Sequence, residues 1–201
     1  MGNGELGSAV VEEDREIMRR VRAGEVELFD LLVRRYRGPL LNVAWSKLGE
    51  AAWAEDVVQE TFLAAFASRA SYRPEFSFRT WLWTILLNLC RRQWRRRQTR
   101  PREHSLSSAA PADLAGYREP VAGESPLEKA LKTEGRARVQ RLLERLPEPQ
   151  ADALRLRFFG ELPFAEIAAA MGSSLSGAKQ RVRLGLIALS EQLREERRER
   201  S

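Results

Sequence analysis

One stretch of the chain, residues 76–98, changes abruptly from apolar to basic and strongly limits what the sequence can fold into. It reads FSFRTWLWTILLNLCRRQWRRRQ, with aromatic and aliphatic residues first and clustered arginines after them. No Pro or Gly interrupts it, so one helix rising about 1.5 Å per residue would reach roughly 30 Å from core to surface. We therefore expect a helix whose first half is buried and whose second half meets an anion.

The apolar half is too short to cross a bilayer, which needs about 20 consecutive apolar residues. Membrane insertion is therefore not expected. A solvated end of a core helix is the plainer interpretation of the arginine cluster. Aromatic residues within and before the basic half, and a second basic segment near the C-terminus, favour a nucleic-acid partner instead.

Composition supports a globular, polyanion-binding protein. The 201 residues are 43% hydrophobic and 31% charged, with a formal net charge of +6, which favours nucleic acid as partner. The only cysteine, Cys90, cannot form an internal disulfide, and no signal peptide is recognisable, so a reducing cytoplasm is expected. The only histidine, His104, leaves little basis for a metal site or a histidine-based catalytic triad. We expect no cofactor, no metal and no enzymatic activity.

Apolar residues recur at helical spacing and no stretch alternates with period two, which predicts an all-α protein. Residues 1–13 are Gly-rich without periodicity and are expected to form a disordered tail. A first helix is predicted over residues 14–23 with Asp14 as its N-cap. A second covers residues 25–37 and ends at Gly38 and Pro39, after which residues 40–48 resume as helix.

Residues 54–66 form a helix with two distinct faces. The apolar face is predicted to be buried and comprises Ala54, Val58, Thr61, Phe62 and Ala65. The opposite face is acidic and polar, and it comprises Asp56, Gln59, Glu60 and Leu63. A solvated helix flank is the plainer interpretation of this second face, and a docking surface for a partner protein is the alternative.

Residues 99–125 are rich in Pro, Ala, Ser and Gly and lack apolar periodicity. This composition predicts a flexible linker that is longer than compact domains normally contain. The chain is therefore expected to form two small helical domains, over residues 14–98 and 126–201.

The second domain is predicted to contain a helix-turn-helix motif. A helix over residues 127–146 is expected to bury Leu131, Val139, Leu142, Leu143 and Leu146, and one over residues 150–159 to bury Ala153, Leu154 and Phe158. The motif follows with a helix over 164–171 that carries Ala168, the turn Gly172, and a helix over 176–194.

The last helix is expected to bury one stripe and to present another to DNA. The inward stripe comprises Ala178, Val182, Leu186, Leu189 and Leu193. The outward set comprises Ser176, Lys179, Gln180, Arg181 and Arg183. Such side chains can bond base edges in the major groove or the phosphates beside it, although a charged helix flank is the plainer alternative.

These motifs together resemble a known family. The segment 54–66 followed by an aromatic loop and FRTWLWTILLNLCRRQWRRR resembles region 2 of bacterial sigma factors of the extracytoplasmic-function group. The family pattern FRxWLxxIxxN falls on Phe78, Arg79, Trp81, Leu82, Ile85 and Asn88. The segment 146–186 resembles region 4 of the same group. Two departures are Arg92, where the family often has an acidic residue, and the outward Leu184 and Ile187, where it tends to be basic. Either promoter contacts are confined to the first turns of the last helix, or that surface meets a protein.

The resemblance implies a sigma factor that binds core RNA polymerase and directs transcription initiation. The core-binding residues would be Asp56, Gln59, Glu60 and Leu63, against clamp helices of the large polymerase subunits. The minus-ten element would be bound by Tyr72, Arg73, Phe76, Asn88, Arg91, Arg92, Arg95 and Arg96. The minus-thirty-five element would be bound by Ser176, Lys179, Gln180, Arg181 and Arg183, and region 4 would also touch the polymerase flap. Family members are commonly held inactive by an anti-sigma protein, so such a partner is expected.

Other classes of protein remain open on sequence alone. The first is a stand-alone helix-turn-helix transcription regulator, which would need neither the acidic helix face nor the aromatic loop. The second is a nuclease or recombinase, but its carboxylates would have to cluster, and here they are scattered along helix surfaces. The third is an RNA-binding adaptor, which would bind RNA tightly without polymerase.

Overall fold

A computed structural model describes the backbone of residues 3–99 and 126–199 and most side chains of residues 10–96 and 134–199. The described residues form eight α-helices and two single 3-10 turns, with no strand among them, which confirms the all-α expectation. The expected linker lies almost wholly outside the described residues, as does the side chain of Leu131.

The N-terminal module consists of four helices: α1 (Asn3–Ala23), α2 (Phe29–Leu48), α3 (Ala51–Ala67) and α4 (Phe78–Thr99). The apolar half of α4 lies at its centre, and α1, α2 and α3 all contact this helix. Phe78, Leu82, Trp83, Leu86 and Leu87 are all completely buried. The expectation of a core helix that continues into a basic end is therefore correct.

Helix α1 differs from its prediction. It begins at Asn3, so it includes residues expected to form a tail, and Asp14 lies inside the helix rather than at its N-cap. The Asp14 carboxylate is fully buried and accepts hydrogen bonds from the Tyr36 hydroxyl and the Arg35 guanidinium. Burial raises the pKa of Asp14, and the Tyr36 hydrogen bond and the Arg35 charge oppose that rise. This polar contact joins α1 to α2.

Helix α2 continues through Gly38 and Pro39, where an interruption was expected. Proline removes one helical N–H donor and disfavours a helix interior by about 3 kcal/mol. The residues on either side, Tyr36, Leu40 and Leu41, are buried in the core. Burial of this helix against α1, α3 and α4 therefore outweighs the local preference of the proline.

The C-terminal module consists of α5 (Pro126–Glu144), α6 (Glu148–Phe158), α7 (Phe164–Ala170) and α8 (Leu175–Glu199). Gly172 adopts φ 59°, a left-handed conformation that glycine enters without strain, and it makes the predicted turn between α7 and α8. The expected core residues Ala168, Ala178 and Val182 are buried.

Several residues expected to be buried in this module are exposed instead. They are Val139, Phe158, Leu186 and Leu193, with exposures of 42%, 58%, 45% and 37%. Periodicity places each residue on the apolar side of its helix. In this small module, however, α5, α6 and α8 do not cover one another's apolar sides along their full lengths. Burial is concentrated where α6, α7 and α8 meet.

The two modules pack against one another, which the sequence did not predict. Helix α2 contacts α5 and α6, and helix α4 contacts α7. Nearly all the buried apolar residues of both modules belong to one continuous hydrophobic core.

The first prediction concerns the polar contact between α1 and α2. Asp14→Ala should lower the free energy of unfolding by about 1–3 kcal/mol, because it removes the acceptor of the buried Tyr36 hydroxyl and one of the carboxylates that Arg35 bonds, while Arg35 keeps its ion pair with Glu13. Urea denaturation followed by circular dichroism measures this change. Glu16→Ala, on the exposed face of the same helix, is the matched control and should leave the midpoint unchanged. Equal midpoints for the two variants would contradict the assignment.

Candidate nucleic-acid and protein interfaces

The acidic face of α3 is displayed as predicted. Asp56, Gln59, Glu60 and Leu63 are all exposed, and Leu63 is 62% accessible. Ala54, Val58, Thr61, Phe62 and Ala65 on the opposite side are buried. The helical spacing therefore separates a packing face from a face that is available to a partner.

Beside this face lies a groove of about 450 Å³ between α2 and α3. Gln59, Leu63, Glu55 and Arg37 contribute to its lining, and its other lining residues are the apolar Phe29, Val33, Leu41, Val58, Phe62 and Phe66. The Phe29 ring lies 5.3 Å from that of Phe66 and 6.4 Å from that of Phe62, between ring centres. The sequence does not indicate this groove, because its residues come from two helices whose pairing no local pattern specifies.

The loop before α4 contains two aromatic residues that were predicted to contact DNA, and their environments differ. Phe76 is 60% exposed, as a base-stacking side chain must be. Tyr72 is buried, in contrast to its expected role at DNA. Its hydroxyl donates a hydrogen bond to the Phe76 carbonyl at 2.8 Å, and its ring contacts those of Phe78 and Trp81. Burial raises the pKa of Tyr72 to about 12. Tyr72 therefore fixes the shape of the loop that presents Phe76.

An open cavity of about 620 Å³ adjoins this loop. Arg73, Phe76 and Ser71 line it, together with Arg22 from the end of α1. Arg22 was not among the predicted site residues, because nothing in its local sequence indicates that α1 ends beside the loop.

The basic half of α4 forms a second open cavity of about 620 Å³, lined by Asn88, Arg91, Arg92, Arg95 and Arg96. Sequence analysis predicted all five as contacts to the minus-ten element. Arg92 forms an ion pair with Glu60 of α3, so the basic cluster and the acidic face adjoin one another. The arginine in this pair is the one that departs from the family pattern.

Arg91 is half-buried and bonds to the other module. Its Nη2 atom lies 3.2 Å from Asp152 Oδ2, and its Nε atom lies 3.8 Å from Glu148 Oε1. Lys47, at the end of α2, bonds the same two carboxylates at 2.5 Å and 2.9 Å. The hydrogen bond from Lys47 lowers the pKa of Glu148.

The start of α8 presents most of the predicted recognition set. Ser176, Lys179, Gln180 and Arg183 are exposed, while Arg181 is half-buried and so differs from the outward position expected for it. The Ser173 amide donates to the Ala168 carbonyl at 2.8 Å, and the Gly177 amide donates to Ser174 Oγ at 3.1 Å. These bonds hold the turn and satisfy an amide in the first turn of α8.

Two kinds of feature are absent from the described ranges. Residues 3–99 and 126–199 contain no helix that is long and apolar enough to span a membrane. The same part of the chain contains no cluster of three histidine, cysteine or carboxylate side chains that could hold a metal ion.

A helix-turn-helix with an exposed basic first turn, joined to a module with an exposed aromatic loop and an arginine-lined helix, defines a DNA-binding transcription protein. The family model of sigma-70 region 2 matches residues 32–100, and that of sigma-70, region 4, matches residues 136–189. The chain belongs to the sigma-70 family, in the extracytoplasmic-function group. It is a sigma factor that binds core RNA polymerase and directs promoter recognition and transcription initiation.

Individual relatives agree with this membership. The chain is 30% identical to the RNA polymerase sigma-H factor of Pseudomonas aeruginosa over 171 residues, which covers 85% of this chain and 89% of that protein. It is 28% identical to the ECF RNA polymerase sigma-E factor of Escherichia coli K12 over 169 residues, which covers 84% of this chain and 88% of that protein.

Two solved structures share the fold. The structure of CnrH in complex with the cytosolic domain of CnrY matches with a TM-score of 0.69 at 25% identity, covering 90% of this chain and 97% of that one. The sigma factor RpoE of Bartonella quintana, in complex with the anti-sigma factor NepR, matches with a TM-score of 0.60 at 24% identity. That match covers 83% of this chain and 96% of the RpoE chain.

The second prediction separates the two neighbouring phenylalanines of the loop region. Phe78→Ala should lower the free energy of unfolding by about 3–5 kcal/mol, because it empties a fully buried site. Phe76→Ala should leave that free energy within about 0.5 kcal/mol. It should nevertheless reduce formation of open promoter complexes about fivefold or more, since a stacked base contributes about 1–3 kcal/mol.

Urea denaturation measures the first two changes, and permanganate footprinting with core polymerase measures the third. Full promoter opening by Phe76→Ala would contradict a stacking role for this ring.

Proposed function

We propose that three surfaces of this sigma factor bind different partners. The α3 face and its groove bind core polymerase, the loop and the basic half of α4 bind the minus-ten element, and the first turns of α8 bind the minus-thirty-five element. The observation that most supports the assignment is the exposure of Asp56, Gln59, Glu60 and Leu63 beside an apolar groove. A solvated helix flank needs no such groove.

The polymerase contact combines charge with apolar burial. A helix of the polymerase could insert its apolar side chains into the groove while its cations meet Glu55 in the groove lining and Asp56 and Glu60 on the exposed face of α3. Leu63 is 62% exposed at this position and would lose that exposure on binding. Exposed leucines beside an apolar depression are typical of a protein-binding site.

The free energy needed to separate promoter DNA is larger than this chain alone can supply, so the chain must act together with core polymerase. Separating ten or so base pairs at about 1.4 kcal/mol per step costs roughly 14 kcal/mol. A stacked base offsets only about 1–3 kcal/mol of this amount, and Phe76 is the one exposed aromatic side chain of the loop, residues 71–77. Arg73, Asn88, Arg92, Arg95 and Arg96 then hold backbone phosphates of the opened strand. The chain works as a polymerase subunit in the cytoplasm, without a catalytic step of its own.

In this proposal, residues 14–98 form the module that binds polymerase and the minus-ten element. Residues 126–201 form the module that binds the minus-thirty-five element. Residues 99–125 are proposed as the connection between them. The family models at residues 32–100 and 136–189 support this division.

An anti-sigma protein is the proposed regulator. The Bartonella RpoE structure contains an anti-sigma factor. In this chain, α8 exposes Leu184, Leu186 and Ile187 at 42%, 45% and 43%, beyond the basic turns that face DNA. Such an apolar surface suits a protein partner better than a phosphate backbone.

The single experiment that tests the function is transcription in vitro with core RNA polymerase. Adding this chain should produce transcripts from defined start sites, mapped across genomic DNA, that core polymerase alone does not produce. An absence of new start sites would contradict the proposal.

The third prediction tests the α3 surface. Asp56→Arg and Leu63→Arg should each weaken binding to core polymerase at least about tenfold, or 1.4 kcal/mol. Each places a cation where the partner is expected to be cationic or apolar. Glu195→Arg, at the exposed end of α8, is the control for charge reversal and should bind normally. Fluorescence anisotropy measures the affinity, and wild-type binding by both α3 variants would contradict the docking surface.

The fourth prediction tests the recognition helix. Lys179→Ala combined with Arg183→Ala should lower promoter-specific transcription by about tenfold or more, because each lost base contact is worth about 1–3 kcal/mol. Affinity for core polymerase should not change.

Arg194→Ala with Arg198→Ala removes the same charge from exposed positions of the same helix, roughly 22 Å further along it. These control substitutions should leave transcription nearly intact. Equal losses in both pairs would show that net charge alone matters.

A further inference from the structure

The last turn of α1 lies beside the loop that presents Phe76. Val21 is buried in the core and anchors this end of the helix, and α1 contacts the 3-10 turn Arg69–Ser71 that precedes the loop. Gly24 adopts φ 117°, a left-handed conformation that glycine enters without strain, and it ends the helix. The backbone of Arg22 is therefore held in one position next to the loop.

Arg22 differs from the other arginines of α1 in its partners. Each of the other three pairs with a carboxylate of the same helix or of the turn after it: Arg15 with Glu12, Arg19 with Glu16 and Arg20 with Glu25. Within the part of the chain that the structure describes, Arg22 has no ion pair or side-chain hydrogen bond. Its charge is therefore available to a ligand.

The cavity beside the loop brings Arg22 and Arg73 to the same exposed ring. Both guanidinium groups line this cavity, together with Phe76, Ser71 and one carboxylate, that of Glu75. Arg73 likewise has no ion pair with any residue of the described ranges. The lining therefore carries two positive charges and one negative charge, which favours an anion as ligand.

The charge of Arg22 also acts on the buried side of the loop. Burial raises the pKa of Tyr72, whose hydroxyl bonds the Phe76 carbonyl, and the charges of Arg15 and Arg22 oppose that rise. A cation lowers the pKa of a phenol only when it lies near the titrating oxygen. The guanidinium of Arg22 therefore lies on the loop side of α1, close to the backbone that carries Phe76.

These groups together match the parts of one nucleotide. The ring of Phe76 offers a face on which a base can stack. A guanidinium presents N–H donors in a planar fork that pairs with a phosphate through two hydrogen bonds. The volume of about 620 Å³ lies within the range of about 300–1,000 Å³ that is usual for small-ligand sites. A solvated side chain is the plainer interpretation of Arg22, but such a side chain needs no cavity that it shares with Arg73.

We propose that Arg22 is a further DNA-binding residue of this sigma factor, and that it binds, together with Arg73, the phosphate of the nucleotide whose base stacks on Phe76. The family model of sigma-70 region 2 begins to match at residue 32, so this contact comes from a helix that precedes the matched segment. The inference rests on the proposed function, because it requires the loop to bind the opened minus-ten strand.

Binding of the holoenzyme, which is core polymerase with this chain, to a minus-ten probe tests the contact. The probe is a fluorescein-labelled duplex whose minus-ten segment is single-stranded, taken from a start site mapped by transcription in vitro. Arg22→Ala should weaken binding about fivefold. It should also reduce the slope of log affinity against log salt concentration by about 0.7, the value for one phosphate of a single strand. Arg22→Lys keeps the charge and should keep the slope.

Two exposed arginines are the controls for net charge. Arg19→Ala removes the same charge about one turn earlier in α1, and Arg34→Ala removes it from α2, and neither residue lines the cavity. Both variants should bind the probe within about twofold of wild type. Equal losses in these variants and in Arg22→Ala would show that net charge alone matters and would overturn the contact. Arg22→Ala should bind core polymerase normally, and a loss of that affinity would also overturn it.

Probes with one neutral methylphosphonate in place of a phosphate locate the contact. At one position of the minus-ten strand, Arg22→Ala should lose at least about threefold less affinity than wild type loses, because a protein group and a DNA group that touch are coupled. Arg19→Ala should lose as much as wild type at that position. Equal losses by wild type and Arg22→Ala at every position would overturn the proposal.

Two loop variants separate this inference from the proposed function. Phe76→Ala and Arg73→Ala should each weaken binding of the holoenzyme to the unmodified probe. If both bound like the wild type, the loop would not be at DNA, and the proposed function would fail together with the contact. If both weakened binding while Arg22→Ala did not, only the role of Arg22 would be overturned.

Discussion

Burial of the apolar half of α4 is the interaction on which the remaining structure depends. Phe78, Leu82, Trp83 and Leu86 are fully enclosed by helices from both modules. Because α4 is continuous, fixing its first half also fixes the direction of its basic second half. The same helix therefore organises the hydrophobic core, positions the exposed Phe76 just before its start and carries the arginines that line the proposed phosphate site.

Polar contacts then select one arrangement among those that apolar packing alone would permit. Asp14 aligns α1 with α2 through Tyr36 and Arg35, and Asp152 aligns α2 and α4 with α6 through Lys47 and Arg91. Burial lowers the pKa of Arg155, and the charge of Asp152 opposes that effect. In each contact, separation would return the charged groups to water at modest cost, whereas misalignment would leave one of them buried and unpaired. Such contacts therefore favour two states, one in which the helices are aligned with every buried charge paired and one in which the helices are fully separated.

Local patterns predicted the helices well but could not supply the contacts between them. The faces of α3, the glycine turn at Gly172 and the buried Ala178 follow from spacing and from backbone preference, and the structure agrees. The interruption at Pro39 was wrong because tertiary burial outweighed a local penalty. The family resemblance placed Tyr72 at DNA, but its ring packs in the core. Phe158 and Leu186 were placed inward by periodicity, which specifies a side of a helix but not whether another helix covers it.

Helical periodicity and glycine conformation are local properties, so the order of amino acids is enough to predict an all-α chain with an amphipathic acidic helix, an apolar helix that becomes basic and a helix-turn-helix. Packing between helices determines which exposed residues share a groove, places Arg22 beside the loop, and brings Lys47, Arg91 and Asp152 together. Lys47 and Asp152 are separated by about a hundred residues of chain. Long-range pairing of this kind depends on how whole helix faces fit together, and no short-range pattern records it.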